Sequence, residues 1–365
     1  MIKEKLHRPD IFLLVITVLL VIIGIIMIYS ASAIMALERY NNTMAFLQKE
    51  LVWALLGMIG LLAMLRFDYH KLQKLSRVLL IISAILLMLV LTGLFAEAKG
   101  AHRWIRVGPI GVQPSEIAKI CLIIYLADII DRKQSKIKSF NKGIMPAVAV
   151  LGVICLLILK EPDLGTPILL TAIGCLMLLI GGARIWHILS LFVVALPVII
   201  FAIVHTPYRL QRMMTFLNPG EDPQGNGYQI TQSLLALGSG GLNGVGLGNG
   251  TQKLLYLPEP HTDFIFPIIG EELGFIGTAL VVVLFGLFVW RAAKIAVHAP
   301  DLFGNLLAGG LTFVIGLQAL INIGVVTAIL PTKGLPLPFL SFGGSSLVCT
   351  MMGVGILLNI SKHIK

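Results

Sequence analysis

Asp263 stands near the end of Leu257-Pro-Glu-Pro-His-Thr-Asp-Phe-Ile-Phe266, where polar sequence gives way to apolar. An ionisable group at such a boundary is costly unless it is paired or used. A carboxylate there can take a proton from an attacking hydroxyl, or help to hold a divalent cation. Other reactive groups also sit at the edges of apolar runs: Glu116 and Lys119 in Gln113-Pro-Ser-Glu-Ile-Ala-Lys119, Asp163 in Glu161-Pro-Asp-Leu-Gly-Thr166, Arg103 with Arg106, Arg209 with Arg212, and Lys333 in Pro331-Thr-Lys-Gly-Leu-Pro-Leu-Pro338. Basic side chains of this kind can hold a diphosphate and stabilise the charge it gains as a leaving group. Each group also has a plain structural use. Asp263 and Asp163 stand where helices need caps. Glu116 and Lys119, three apart, can neutralise one another on one helix face. Gln318 and Asn322, four apart, can hydrogen-bond to a neighbouring helix.

The elements that must position these groups are membrane spans. The chain is 57% hydrophobic and 13% charged, with a mean hydropathy of +0.93. Ordinary soluble domains carry about 25% charge. The composition therefore predicts an all-α polytopic membrane protein of about ten transmembrane helices, near 11–34, 46–65, 78–95, 112–130, 144–159, 165–183, 186–205, 264–290, 302–326 and 343–361. Each is close to the roughly 20 residues that cross the hydrocarbon core. A single transmembrane domain over 1–365 is expected, with one large extracytoplasmic loop at about 206–262 between the seventh and eighth helices. Lys3, Lys5 and Arg8 precede the first run, Arg66, Lys71, Lys74 and Arg77 follow the second, and Arg132, Lys133, Lys136, Lys138 and Lys142 follow the fourth. Cytoplasmic loops retain Lys and Arg, so both termini are expected in the cytoplasm. The net charge of +10 is thus mainly a topology signal and not a nucleic-acid surface, because it is scattered over short loops. The basic N-terminus and first apolar run read as a retained span, since the run is too long for a signal peptide and no clear cleavage site follows. Cys121, Cys155, Cys175 and Cys349 all lie in apolar runs and offer neither a disulfide framework nor metal spacing.

Within the polar loop, residues 238–250 carry seven glycines in thirteen positions. Two readings stand: a flexible linker, or backbone free to approach a ligand closely. Glu271 and Glu272 fall two turns or more inside the eighth run, where a carboxylate marks function or pairs with Lys119 or an arginine. Under the predicted topology the polar groups gather at one outer face. Such a constellation suits transfer chemistry on a lipid-linked anionic substrate.

Tyr208-Arg-Leu-Gln-Arg212, Phe216-Leu-Asn-Pro-Gly-Glu-Asp-Pro223, Gly227-Tyr-Gln-Ile-Thr-Gln-Ser233, the Asp263 motif, Gly270-Glu-Glu-Leu-Gly274 and Gly334-Leu-Pro-Leu-Pro-Phe-Leu-Ser-Phe-Gly-Gly-Ser-Ser346 run in order along the chain. With Gly100-Ala-His-Arg-Trp-Ile105, Gln113-Pro-Ser-Glu116 and Pro162-Asp-Leu-Gly-Thr166 they resemble the SEDS family of FtsW, RodA and SpoVE. Thr332-Lys-Gly-Leu-Pro-Leu-Pro338 leans towards the FtsW and SpoVE branch.

The resemblance implies a peptidoglycan glycosyltransferase of the bacterial inner membrane. It would polymerise lipid II, release undecaprenyl diphosphate, and work beside a class B penicillin-binding protein and other division or elongation membrane proteins. It places the essential aspartate on Asp263, as general base or as ligand to a divalent cation, Mg2+ or Mn2+. An ordinary aspartate, near 3.9, is a weak base at neutral pH, so base catalysis needs local desolvation or a positioning role. It carries functional weight onto Glu116, Lys119, Asp163, Arg209, Arg212, Lys333 and Ser341, and His261 and Asn322 join them as candidate substrate-binding groups. Pro260 and Phe342 depart from the family pattern without removing a titratable group. A lipid II flippase is the competing class, supported by the depth of Glu271 and Glu272, and a non-catalytic division scaffold is a third. A transporter would place substrate groups near the midplane and often shows inverted repeats.

Overall fold

The computed structural model describes residues 7–92, 103–107, 110–161, 163–217, 226–254, 257, 260–331 and 334–364, excluding a few side chains, those of Arg106 and Arg209 among them. Lys333 lies outside the described residues. The described chain forms twelve α-helices and one small antiparallel hairpin. The helices are α1 (Ile11–Tyr40), α2 (Ala45–Arg66), α3 (Tyr69–Leu91), α4 (Pro114–Arg132), α5 (Met145–Lys160), α6 (Gly165–Ile180), α7 (Ile185–Val204), α8 (Pro207–Leu217), α9 (Asn226–Ser239), α10 (Ile265–Val297), α11 (Leu302–Val326) and α12 (Gly344–Ser361). The hairpin pairs β1 (Ile105–Val107) with β2 (Ile110–Val112).

Several helices start at the residue that local chemistry selects. The Asp10, Asp68 and Asp301 side chains accept from the backbone N–H groups of Leu13, His70 and Gly304, capping α1, α3 and α11. Pro114 opens α4, where its missing N–H costs nothing. Seven helices are long and apolar enough to cross a membrane. Helices α6 and 185–197 of α7 are shorter apolar segments, and α4 carries Glu116, Lys119, Asp128, Asp131 and Arg132. All ten predicted runs coincide with helices, but length and apolarity alone qualify seven of them as spans.

Helices α4, α11 and α12 lie deep in the bundle and α2 and α3 at its margin: 14 of the 19 residues of α4 are buried, and the apolar stretches of α11 and α12 are 67% and 72% buried, against 22% for α2 and α3. Leu55, Ile59, Val78, Ile81, Trp186 and Val193 turn outward as an apolar surface, the arrangement expected where lipid is the solvent. Helix α2 lies along α12, and a Cβ on Gly355 would stand 2.4 Å from the Leu61 carbonyl oxygen. Close helix approach of this kind is what small residues provide in membranes. The chain ends meet: the His7 N–H donates to the Lys362 carbonyl at 2.9 Å, and the Asp10 N–H to Ser361 Oγ at 3.0 Å. Residues 7–10 and 361–362 therefore share one face, which requires an even number of crossings.

The stretch expected as one polar loop is more structured than composition implied. It holds α8 and α9, and Ser233 on α9 donates to the Val326 carbonyl at 2.6 Å. Nor are the glycines a linker. They lie on a break in α10, where Gly274 has φ +67°. Val245 and Gly246 N–H groups donate to the carbonyls of Glu271 and Glu272, and those of Phe275 and Ile276 donate to Gly241 and Leu242. A Cβ on Gly240 would stand 1.9 Å from the Gly270 carbonyl oxygen, so the glycines admit another stretch of this chain's own backbone. Broken helices survive at membrane depth where protein satisfies the freed groups, as this loop does.

Candidate active site

Asp263 is half-buried and sits two residues before α10, whose N-cap is Phe264 without a side-chain bond. The capping explanation therefore does not account for it. Its position comes from α11: Asn322 Nδ2 donates to the Asp263 carbonyl at 2.9 Å and to the Leu335 carbonyl at 2.8 Å. One buried amide thus ties the Asp263 turn to the segment entering α12. The carboxylate lies against Gly334, where a Cβ would stand 3.1 Å from Asp263 Oδ2. Asn322 thus ties α11 to loops, while Gln318 accepts from Lys119 of α4 and so bonds helix to helix as well.

The same segment is held from below by charge. Glu116 Oε1 and Lys119 Nζ are 2.9 Å apart with side chains 6% and 5% exposed. Lys119 also donates to Gln318 Oε1 at 2.9 Å, and Gln318 Nε2 donates to the Pro336 carbonyl at 2.8 Å. Ser341 is buried and closes the turn, its Oγ accepting from the Leu337 N–H at 2.8 Å. Phe339 takes φ +65°, a left-handed conformation rare for a large residue, and its ring packs against Phe285 and Phe288. Gly24 on α1 admits this turn, since a Cβ there would stand 2.3 Å from the Phe339 carbonyl oxygen.

Asp163 caps the first turn of α6, accepting from the Thr166 N–H at 3.1 Å and the Thr166 hydroxyl at 2.7 Å. Gly165 beside it touches Leu335, so the α5–α6 connection borders the same segment. The Arg103 Nε donates to the Glu161 carbonyl at 2.6 Å. Burial pushes the Glu161 carboxyl up to about 8, the Asp163 charge adds to this, and Arg103 opposes it. His261 is buried between the Phe46 and Phe342 rings, at 4.6 and 5.5 Å, and its carbonyl accepts from the Phe342 N–H. Arg212 is half-buried on α8, and Arg209 lies on the same helix.

The deeper carboxylates have other duties. Glu272 Oε1 accepts from Lys253 Nζ at 2.6 Å and from the Ser30 hydroxyl at 2.7 Å. Glu271 Oε1 accepts from the Thr251 N–H at 2.7 Å and the Gln252 N–H at 3.2 Å. Their partner is the end of the glycine-rich loop, and neither pairs with Lys119 or an arginine in the described residues. Lys253 is a residue that sequence reasoning passed over, because nothing local marks a loop lysine as buried. Glu50 on α2 is another: it is 1% exposed, its Oε2 lacks a hydrogen-bond partner among the described residues, and it lies one turn from Phe46.

The donor set at Asp263 suits a hard cation that keeps other oxygen ligands. The Asp263 carboxylate and the buried Asn322 Oδ1, which has no hydrogen-bond partner among the described residues, are oxygen donors. Among the described residues, the three-residue group able to enclose a metal is Asp68, His70 and His363, at the end of the bundle where α3 begins. A cation at Asp263 would therefore lean on substrate phosphates, as Mg2+ commonly does.

Spans four, eight and nine of the sequence reading, here α4, α10 and α11, thus converge on 334–338. The sequence model of the FtsW/RodA/SpoVE family, described as cell cycle protein, matches residues 11–365. A probable peptidoglycan glycosyltransferase FtsW of Trichlorobacter lovleyi is 47% identical over 99% of this chain and 95% of that protein. Stage V sporulation protein E of Bacillus subtilis is 44% identical over 98% of each. One solved structure, described as structural coordination of polymerization and crosslinking by a peptidoglycan synthase complex, superposes with a TM-score of 0.80 at 28% identity, covering 97% of each chain. Ordered motifs, helical fold and near-full-length matches agree, and the chain belongs to the FtsW/RodA/SpoVE family.

Proposed function

We propose that the chain is a multi-pass inner-membrane peptidoglycan glycosyltransferase that polymerises lipid II at the outer face, with Asp263 at the reacting centre. The observation that carries the site is Asp263 held by Asn322 at a membrane boundary, its carboxylate against Gly334. In the reaction an acceptor sugar hydroxyl forms a bond to the donor's anomeric carbon, and the bond from that carbon to the diphosphate oxygen breaks. Undecaprenyl diphosphate leaves with the electron pair. Asp263 orients the hydroxyl and accepts its proton as the sugar oxygen attacks. Arg209, Arg212 and Lys333 supply charge for the diphosphate, and Glu116, Lys119, Gln318 and Ser341 fix the segment beside Asp263. Mg2+ or Mn2+, when bound by Asp263 and the substrate, would neutralise leaving-group charge.

The solved complex, in which polymerization is coordinated with crosslinking, supports a crosslinking partner for this chain, here read as a class B penicillin-binding protein; other division or elongation membrane proteins belong to the same reading. The shared face of the chain ends supports both termini being cytoplasmic. The break in α10 is the feature that favours transport, since transporters use broken helices at substrate sites. Here loop backbone fills the break and Lys253 neutralises Glu272, which leaves the transferase as the better reading. The test is strand formation from purified lipid II by native chain and by Asp263→Asn at equal folding, with and without partner. Polymer from the native chain and none from the variant is expected. Lipid II crossing vesicles with no polymer under any condition would give the site to transport.

A further inference from the structure

At the end of α4 remote from the Glu116–Lys119 pair, a cavity of about 600 Å³ opens between the start of α3, the end of α4 and the connection into α5. Helix α4 spans 19 residues at about 1.5 Å each, so this cavity and the Asp263 side are separated by about the thickness of the membrane core. Its charged and polar lining includes Arg77, Tyr125, Arg132, Lys133, Lys136 and Lys142. Five cationic groups thus share one concavity.

The nearby carboxylates do not balance them. Asp128 takes Arg132 and the Ser76 hydroxyl, and Asp131 accepts from Gln73 Nε2 at 2.8 Å. Among the described residues, Lys133 donates to the Lys142 carbonyl at 3.3 Å and to no carboxylate. Arg77, Lys136 and Lys142 have no carboxylate within ion-pair distance among the described residues. Like charges around a cavity repel unless an anion enters, and 300–1,000 Å³ is the ordinary size of a small-ligand pocket. Within three residues of the lining Arg77 and Lys142 in the sequence, Leu75 and Val78 of α3 and Met145 of α5 are exposed apolar residues that acyl chains could cover.

We infer that this cavity binds a phosphate-bearing anionic group, with the headgroup of an anionic membrane phospholipid as the source that its apolar border fits. Basic pockets between spans on the cytoplasmic side are well placed for such headgroups. The site is independent of the polymerisation chemistry.

Native mass spectrometry of the full chain in detergent tests it, with phosphatidylglycerol and phosphatidylcholine as probes and inorganic phosphate in a parallel thermal-shift arm. The informative variant is Lys136→Gln with Lys142→Gln, both exposed and remote from Asp263, with Arg77→Gln in reserve should that pair fail to fold. Lys71→Gln with Lys74→Gln is the control for basic charge near the same face but outside the cavity. Phosphatidylglycerol retention by native and control, weakened at least about tenfold in the cavity variant, with phosphatidylcholine not retained, is the expected result. A phosphate shift lost only in the cavity variant, without lipid retention, would keep the chemistry and assign a soluble source. Equal retention by native and cavity variant, or equal loss in both variants, would overturn the site.

Discussion

Asn322 grips Asp263 through its backbone, so the aspartate's placement and its chemistry can be separated by mutation. Asn322→Ala leaves one buried and one partly buried carbonyl without their donor, a change that costs roughly 1–3 kcal/mol for the buried group and less for the other. Polymerisation by that variant is expected to fall about tenfold or more while the protein stays folded; an unchanged turnover would remove the positioning role. For the Lys253–Glu272 pair, removing one partner strands a buried charge, so Lys253→Met is expected to cost roughly 3–5 kcal/mol. Adding Glu272→Gln should recover much of that loss in thermal unfolding, and a double variant no better than the single would show the two groups uncoupled. Glu161 sets a pH dependence. Its folded carboxyl is raised from 4.5 to about 8, so its contribution is fully present below about 4.5 and lost as pH rises through about 8. The native chain should therefore lose thermal stability relative to Glu161→Gln as pH rises from about 4.5 to about 8 and level off above that, and parallel profiles would contradict the burial argument. The capping of α6 by Asp163 and the Glu116–Lys119 pair were legible from spacing, because both act within one helical turn. Lys253 with Glu272 was not, because its closure runs through a loop whose path no local pattern encodes.

Among the elements, the glycine-rich loop and the break in α10 depend on one another. Gly274 has φ +67° and lies so close to the loop that a Cβ would stand 2.3 Å from the Gly244 nitrogen. Gly274→Ala therefore combines backbone strain with a clash, and should release the loop and make 240–254 a preferred site of limited proteolysis. Gly238→Ala is the contrast: it meets nothing within 4 Å and lies in α9, so it should be neutral or stabilise by up to about 1 kcal/mol. Equal protease sensitivity in both variants would argue against docking as the reason for the glycines. Glycine content announced freedom of backbone in this stretch. It did not say whether a ligand or another segment would use that freedom, because nothing in Gly270-Glu-Glu-Leu-Gly274 marks a break in α10 or a docking partner for the loop.

For the molecule as a whole, the meeting of its ends puts both on one face, and the basic connections predict that this face is cytoplasmic. All four cysteines are buried, so Asn42→Cys and Ser139→Cys each add one exposed thiol, on the α1–α2 and α4–α5 connections. A membrane-impermeant maleimide applied to intact cells should label the first and spare the second, and the reverse pattern would invert the topology. Class, helix positions and family were all within reach of the linear chain, because apolar run length, basic flanks and ordered motifs are local properties. Which partner each polar group takes was decided by the fold. Glu271, Glu272, Glu116 and Asn322 all sit beside apolar runs and look alike there. Only packing assigns two to a loop, one to an ion pair beneath 334–338 and one to Asp263, because in a low-dielectric interior a polar group's partner, not its type, determines what it can do.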